Sequence, residues 1–189
     1  MATGLRWGEI AGLHVSGLDP AGCVIHVTQT YAYLLNETTS RRQWQLRLYP
    51  KGRKQRDVPI CHELAILLAR HANGKNPGQP LFPENGGGYI DYANQRNNVL
   101  QPALEFAHQR GLAQHITPHA LRHTMITMLR DAGVAPGVMQ LIAGHESYQT
   151  TARYSGQHTP AQRALILNSV HPIIKAAEIL FNNPRIDHE

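Results

Sequence analysis

Residues 117–133 read Thr117-Pro118-His119-Ala120-Leu121-Arg122-His123-Thr124-Met125-Ile126-Thr127-Met128-Leu129-Arg130-Asp131-Ala132-Gly133, a helix marked at both ends. A threonine hydroxyl caps the start, proline takes the first helical position, and glycine closes the end. Leu121, Met125, Met128 and Leu129 share one face, the spacing of a side turned to a core. A short apolar helix follows from Pro136 to Gly144. The two together look superficially like a DNA-binding helix-turn-helix. Yet Val138-Met139-Gln140-Leu141-Ile142-Ala143 is too apolar to read base edges, so this second helix is assigned to core.

Upstream, the pattern changes from helical to extended. Leu5, Ile10 and Leu13 have near-helical spacing over residues 5–14. Residues 23–34 are rich in β-branched and aromatic side chains and predict a strand. A second strand is predicted at about 43–49, where Trp44, Leu46 and Leu48 alternate with Gln45 and Arg47. Lys51-Gly52-Arg53-Lys54 is read as a hairpin turn, and residues 56–60 as a short third strand that Pro59 places at a sheet edge or its own end. Helices are predicted over 61–72, 91–109, 160–169 and 173–181, with a polar glycine-rich loop at 83–90. The expected fold class is α+β, mainly helical with a small antiparallel β-sheet near the N-terminal third.

The chain has 189 residues, 42% hydrophobic and 16% charged, which fits one globular domain and excludes a disordered chain. No apolar run approaches the ~18–20 residues that span a bilayer, and the first residues lack the pattern of a secretory signal. Cys23 and Cys61 have no metal-type spacing and make no disulfide framework; buried thiols in a reducing cytosol are expected of them. No nucleotide-binding loop or metal cluster stands out.

Net charge is +5, and it is local. Arg41, Arg42, Arg47, Lys51, Arg53, Lys54 and Arg56 place seven cations in sixteen residues without an acid, leaving 5 − 7 = −2 for the rest. Such a stripe suits a polyanion, since neutralising phosphates releases counterions. From charge alone, a solvated basic hairpin fits equally well.

Four short features carry chemistry. His119 and Arg122 are neighbours on one face at a helix N-terminus, a favourable place for a phosphate. His119 and His123 at i, i+4 would suit zinc, but the glutamate of His-Glu-x-x-His is missing. Gly144-His145 precedes Thr150-Thr151-Ala152-Arg153-Tyr154. Leu5-Arg6-Trp7-Gly8-Glu9 sets an arginine three residues before an acid, by itself a local ion pair of little worth. Pro50-Lys51-Gly52 puts a lysine at the turn. Metal-free phosphodiester cleavage needs a nucleophile, positive charge on the phosphate and an acid for the departing oxygen, and these residues offer all three.

In this combination and order the chain resembles the tyrosine recombinase (phage integrase) family. The resemblance runs from residue 3 to about 156 and is specific as a set. It implies the catalytic core of a DNA breaking-rejoining enzyme over residues 1–170, with a C-terminal helix and tail over 171–189. It further implies that Tyr154 is the nucleophile, forming a 3′-phosphotyrosyl link, and that Arg6 and Arg122 hold the non-bridging oxygens. Lys51 would protonate the leaving 5′-oxygen, with Lys54 its rival; His119 would handle the tyrosine proton, and His145 would donate to the phosphate. Glu9 and His123 would support the site. Arg41, Arg42, Arg47, Arg53, Lys54 and Arg56 are the residues expected to face DNA.

No cofactor or metal is implied. The implied partners are double-stranded DNA and further copies of the chain, in a tetramer joined through a C-terminal helix whose stripe is Ile173, Ile174, Ala177, Leu180 and Phe181. That helix packing on its own domain is the competing expectation. The implied location is the cytoplasm, on the nucleoid when DNA is bound. The family normally has helices before the first arginine and a separate DNA-gripping domain before those. A catalytic domain lacking its front end, recombining weakly or not at all alone, is therefore expected. A non-enzymatic DNA-binding module and a topoisomerase-like enzyme using the same tyrosine remain as alternatives.

Overall fold

The computed structural model describes residues 3–50, 55–111 and 116–144. The Lys51–Lys54 turn and the two C-terminal helices expected from the sequence lie outside the described residues. Helix α1, Trp7–Ala11, begins where the Glu9 carboxylate accepts a hydrogen bond from the Arg6 amide at 2.9 Å, the reciprocal half of a capping box. A 3₁₀ turn, Val15–Gly17, leads into β1, Leu18–Asp19, then β2, Val24–Val27, β3, Thr30–Asn36, β4, Arg41–Arg47, and β5, Arg56–Pro59.

These strands form two antiparallel sheets, one ordered β1-β2-β5 and the other pairing β3 with β4. The continuous strand expected over 23–34 is therefore two, divided at Thr28 and Gln29. The expected hairpin between 43–49 and 56–60 is also corrected: β4 pairs back onto β3, while β5 pairs with β2. Cross-strand chemistry accounts for the pairing. Tyr31 faces Leu46 and Tyr33 faces Trp44 on one side of the ribbon, while Ile25 meets Val58 across the other sheet. Large apolar pairs of this kind stabilise a sheet more than small or polar ones. The ribbon turn is closed by Asn36, whose Oδ1 accepts from the amides of Thr38 and Thr39. Pro59 sits on the edge strand, as expected.

Helix α2, His62–Ala72, follows, and then α3, Tyr92–Gln95, which runs through a π-helical stretch, Arg96–Leu100, into α4, Gln101–His108. Helix α5, Pro118–Asp131, carries the expected cap, Thr117 Oγ1 accepting from Ala120 N at 3.1 Å. Its end is a Schellman motif: Val134 N bonds Leu129 O, Gly133 N bonds Arg130 O, and Gly133 has φ +78. Helix α6, Pro136–Ala143, packs against α5 and β5. The core gathers Ile25, Val27, Val58 and Ile60 from the sheet with Met125, Leu129, Val138 and Ile142 from α5 and α6. The second helix is thus core, as its composition suggested.

Cys61 is buried there, and burial pushes its thiol pKa up to about 11. Cys23 is only half-buried, which corrects the expectation that both thiols are enclosed.

Helix α1 lies so close to β3 that only glycine fits between them. A Cβ on Gly12 would stand 2.7 Å from Tyr31 N, and one on Gly8 2.5 Å from Tyr31 O. Trp7 caps the contact against Trp44, ring centroids 5.2 Å apart. Gly12→Ala is therefore expected to destabilise the fold by about 1–3 kcal/mol through overpacking against backbone. Urea unfolding measures this, and a loss under 0.5 kcal/mol would show that the approach relaxes freely.

Candidate active site

The end of α6 gathers the arginines. Its last carbonyls, those of Ile142, Ala143 and the following Gly144, each accept from a different arginine. Arg56 Nε donates to Ile142 O at 2.9 Å, Arg122 Nη2 to Ala143 O, and Arg6 Nη2 to Gly144 O at 2.6 Å. A helix C-terminus leaves carbonyls without intrahelical partners and carries partial negative charge, so cations are favoured there. Gly144 has φ +63, and a Cβ on it would lie 2.8 Å from the Arg56 guanidinium. Only glycine allows both the left-handed turn and the arginine behind it.

Beneath this layer Glu9, 2% exposed, binds two of the three arginines. Its oxygens accept from Arg56 Nη1 and Nη2 at 2.9 and 2.7 Å, a two-point ion pair, and from Arg6 Nη1 at 3.0 Å. Burial raises the Glu9 pKa, but the Arg56 hydrogen bonds and the charges of Arg56 and Arg6 outweigh it, leaving the carboxyl below its ordinary range. Arg122, 4% exposed, also donates Nη1 to Gly4 O. Burial, then the nearby charges of Arg6 and Arg56, bring its pKa down to about 10, with Glu9 opposing. It remains a cation at neutral pH. Each guanidinium carries five donors, so Arg6 and Arg122 keep N–H groups beyond those held by carbonyls and Glu9.

His119 is exposed in the first turn of α5, one turn before Arg122. Its Nε2 lies 2.9 Å from His123 Nε2, with the rings edge to face. A bond between these two ring nitrogens needs a proton on one and a lone pair on the other. Among the described residues no group of three or more His, Cys, Asp or Glu side chains gathers as a metal site would.

The structure thus brings Arg6 and Arg122 together on adjacent carbonyls and sets His119 on the same helix as Arg122. Lys51, Arg53, Lys54, His145 and Tyr154 lie outside the described residues. Arg41 and Arg42 are exposed at the far end of the ribbon, and strand alternation points them to opposite faces. Arg47 is half-buried, donating Nε to Tyr49 O at 3.1 Å and lying over its ring. Arg56, expected to face DNA, instead points inward: it is 8% exposed and donates to Glu9 and to Ile142 O. Glu9 makes the expected local ion pair with Arg6 and, beyond it, bridges α1 to β5 through Arg56.

Comparison with known proteins fits this arrangement. The Phage integrase family matches residues 1–159. A tyrosine recombinase XerC of Pelobacter propionicus is 26% identical over 181 residues, covering 94% of this chain and 51% of that protein. A tyrosine recombinase XerD of Pseudomonas putida is 29% identical over 157 residues, covering 79% and 50%. Among solved structures, the Tn1549 transposon integrase in complex with circular intermediate DNA superposes with a TM-score of 0.61 at 23% identity, covering 93% of this chain and 56% of that one. The XerA recombinase gives 0.55 at 22% identity, covering 97% and 55%. These structures share the fold, and the chain spans about half the length of each relative. Since the family match takes in nearly all of it, the chain belongs to the phage integrase family.

Proposed function

We propose that the chain breaks and rejoins DNA strands in site-specific recombination, with Tyr154 as nucleophile. The observation carrying this reading is the meeting of Arg6 and Arg122, remote in sequence, on neighbouring carbonyls of one helix end. Two cations fixed so near one another suit a phosphate whose negative charge grows during attack. Membership of the family, and relatives named tyrosine recombinases, support it.

In the proposed reaction the Tyr154 phenolate oxygen bonds to phosphorus and the P–O5′ bond breaks. The electron pair leaves on the 5′-oxygen, which takes a proton from Lys51. His119 receives the tyrosine proton, and His145 donates to a non-bridging oxygen. A 5′-hydroxyl of another strand then reverses the steps, so the phosphotyrosyl bond conserves the energy of the original linkage. Double-stranded DNA is the proposed partner, reached by Arg41, Arg42, Arg47, Arg53 and Lys54. Assembly of several copies through residues 171–189 is proposed with it. Among the described residues no helix is long and apolar enough to cross a membrane.

The test is a nicked suicide duplex carrying the recombination site, from which the cleaved segment diffuses away. The chain should form a denaturant-stable protein–DNA adduct that Tyr154→Phe does not form. Binding without any adduct would favour the DNA-binding module, and relaxation of a supercoiled plasmid without strand exchange would favour a topoisomerase-like enzyme.

A further inference from the structure

Arg56 is too deeply buried to touch DNA, yet it holds both groups on which the proposed phosphate site is built. Its Nη1 and Nη2 take the two oxygens of Glu9, and Glu9 in turn binds the Arg6 amide and guanidinium. Its Nε takes Ile142 O, the carbonyl before the two that receive Arg122 and Arg6. The guanidinium also backs Gly144, the last described residue before the segment of sequence containing His145 and Tyr154. A buried ion pair seldom justifies itself by stability, because desolvation offsets much of its attraction. In some proteins such a pair is kept because it fixes geometry. Here a single planar fork orients Glu9 on one side and the end of α6 on the other.

We infer that Arg56 is a positioning residue for strand cleavage, acting through Glu9 on Arg6 and through the Ile142 carbonyl on the exit of the chain from α6. The inference rests on the strand-cleavage reading above. It differs from a bland structural role in its consequence: loss of the fork should slow the chemical step at saturating DNA without weakening DNA binding. A phosphate-contacting arginine would do the opposite, changing affinity and its salt dependence.

Arg56→Lys keeps the charge and removes the fork. Single-turnover adduct formation on the nicked duplex should fall at least tenfold at saturating DNA, while the dissociation constant for that duplex stays within twofold. Gly144→Ala, whose Cβ would press on the same guanidinium, should act in the same direction. Methylguanidinium added to Arg56→Ala should restore part of the rate and leave the parent unchanged. In the parent itself, nitrogen-15 arginine spectra should show slowly exchanging Arg56 and Arg6 guanidinium hydrogens, with the Arg6 signals losing dispersion in Arg56→Lys.

An adduct rate within twofold of the parent in the lysine variant, or a loss confined to DNA affinity, overturns the inference. So does rapid exchange of the Arg56 hydrogens in the parent, whatever the variants do. If the parent forms no adduct at all, the strand-cleavage reading fails separately, and the Arg6 signals still decide whether Arg56 positions that side chain.

Discussion

Glu9→Gln is expected to lower folding stability by about 3–5 kcal/mol at pH 7, the usual cost of breaking a buried ion pair by removing one partner. The substitution keeps the shape of the side chain but takes away the charge between two guanidiniums. Arg56 would be left buried and uncompensated, with buried Arg122 nearby. The amide also offers one acceptor oxygen where the carboxylate uses two for the Arg56 fork, so an N–H is turned toward an NH2 group. The pH dependence separates this from a generic packing defect. The folded-state pKa of Glu9 lies below its ordinary 4.5, so its contribution is complete above that value and is lost as pH falls through the lower, folded-state value. Glu9→Gln lacks that component. Stability curves of parent and variant should therefore stand well apart at pH 7 and draw together below about pH 4.5. Urea unfolding across this range measures it; a difference under 1 kcal/mol at pH 7, or curves parallel throughout, would mean that Glu9 does not hold the arginines together.

The elements that end in chemically marked residues were legible in the sequence, and those settled by long-range pairing were not. Thr117, Pro118 and Gly133 announce α5 because a hydroxyl cap, a fixed φ and a left-handed turn are local needs. The division of 23–34 into two strands depends on partners: Tyr33 meets Trp44 and Ile25 meets Val58, and nothing within residues 28–29 says so. The buried place of Arg56 is legible in the strand pattern. In a strand, residues two apart share a face, and Arg56 stands at that interval from Val58, with the core residue Ile60 following. Its charge fits the surface stripe, but alternation sets it with the apolar residues of β5. Arg122 carries the same kind of signal, being three before Met125 and seven before Leu129 on the buried side of α5. An arginine on a core-facing register is a stronger sign of a built charge site than a run of arginines, because burial demands a partner for it.

That register leads to the second large effect. In the proposed strand cleavage, Arg122→Lys is expected to slow adduct formation by two to three orders of magnitude at pH 7, on the order of the loss of one transition-state donor, about 3–4 kcal/mol. The guanidinium spans two segments, Nη1 to Gly4 O and Nη2 to Ala143 O, and retains donors beyond those for a phosphate. A lysine ammonium has one nitrogen and cannot hold both carbonyls in that planar geometry. Its charge is also vulnerable. Burial and the neighbouring Arg6 and Arg56 bring the Arg122 pKa down to about 10, which leaves it cationic. A lysine begins about two units lower, so the same surroundings push its ammonium toward the neutral form within the working pH range. The charge is present below the depressed pKa and lost as pH rises through it. The variant should therefore lose further activity between pH 7 and 9 relative to the parent, while its affinity for the nicked duplex changes little. Adduct rates measured at saturating DNA across that range decide the matter: a rate within threefold of the parent, or an unchanged ratio of the two rates from pH 7 to 9, would show that neither the fork nor the permanence of the charge at residue 122 is what the reaction uses.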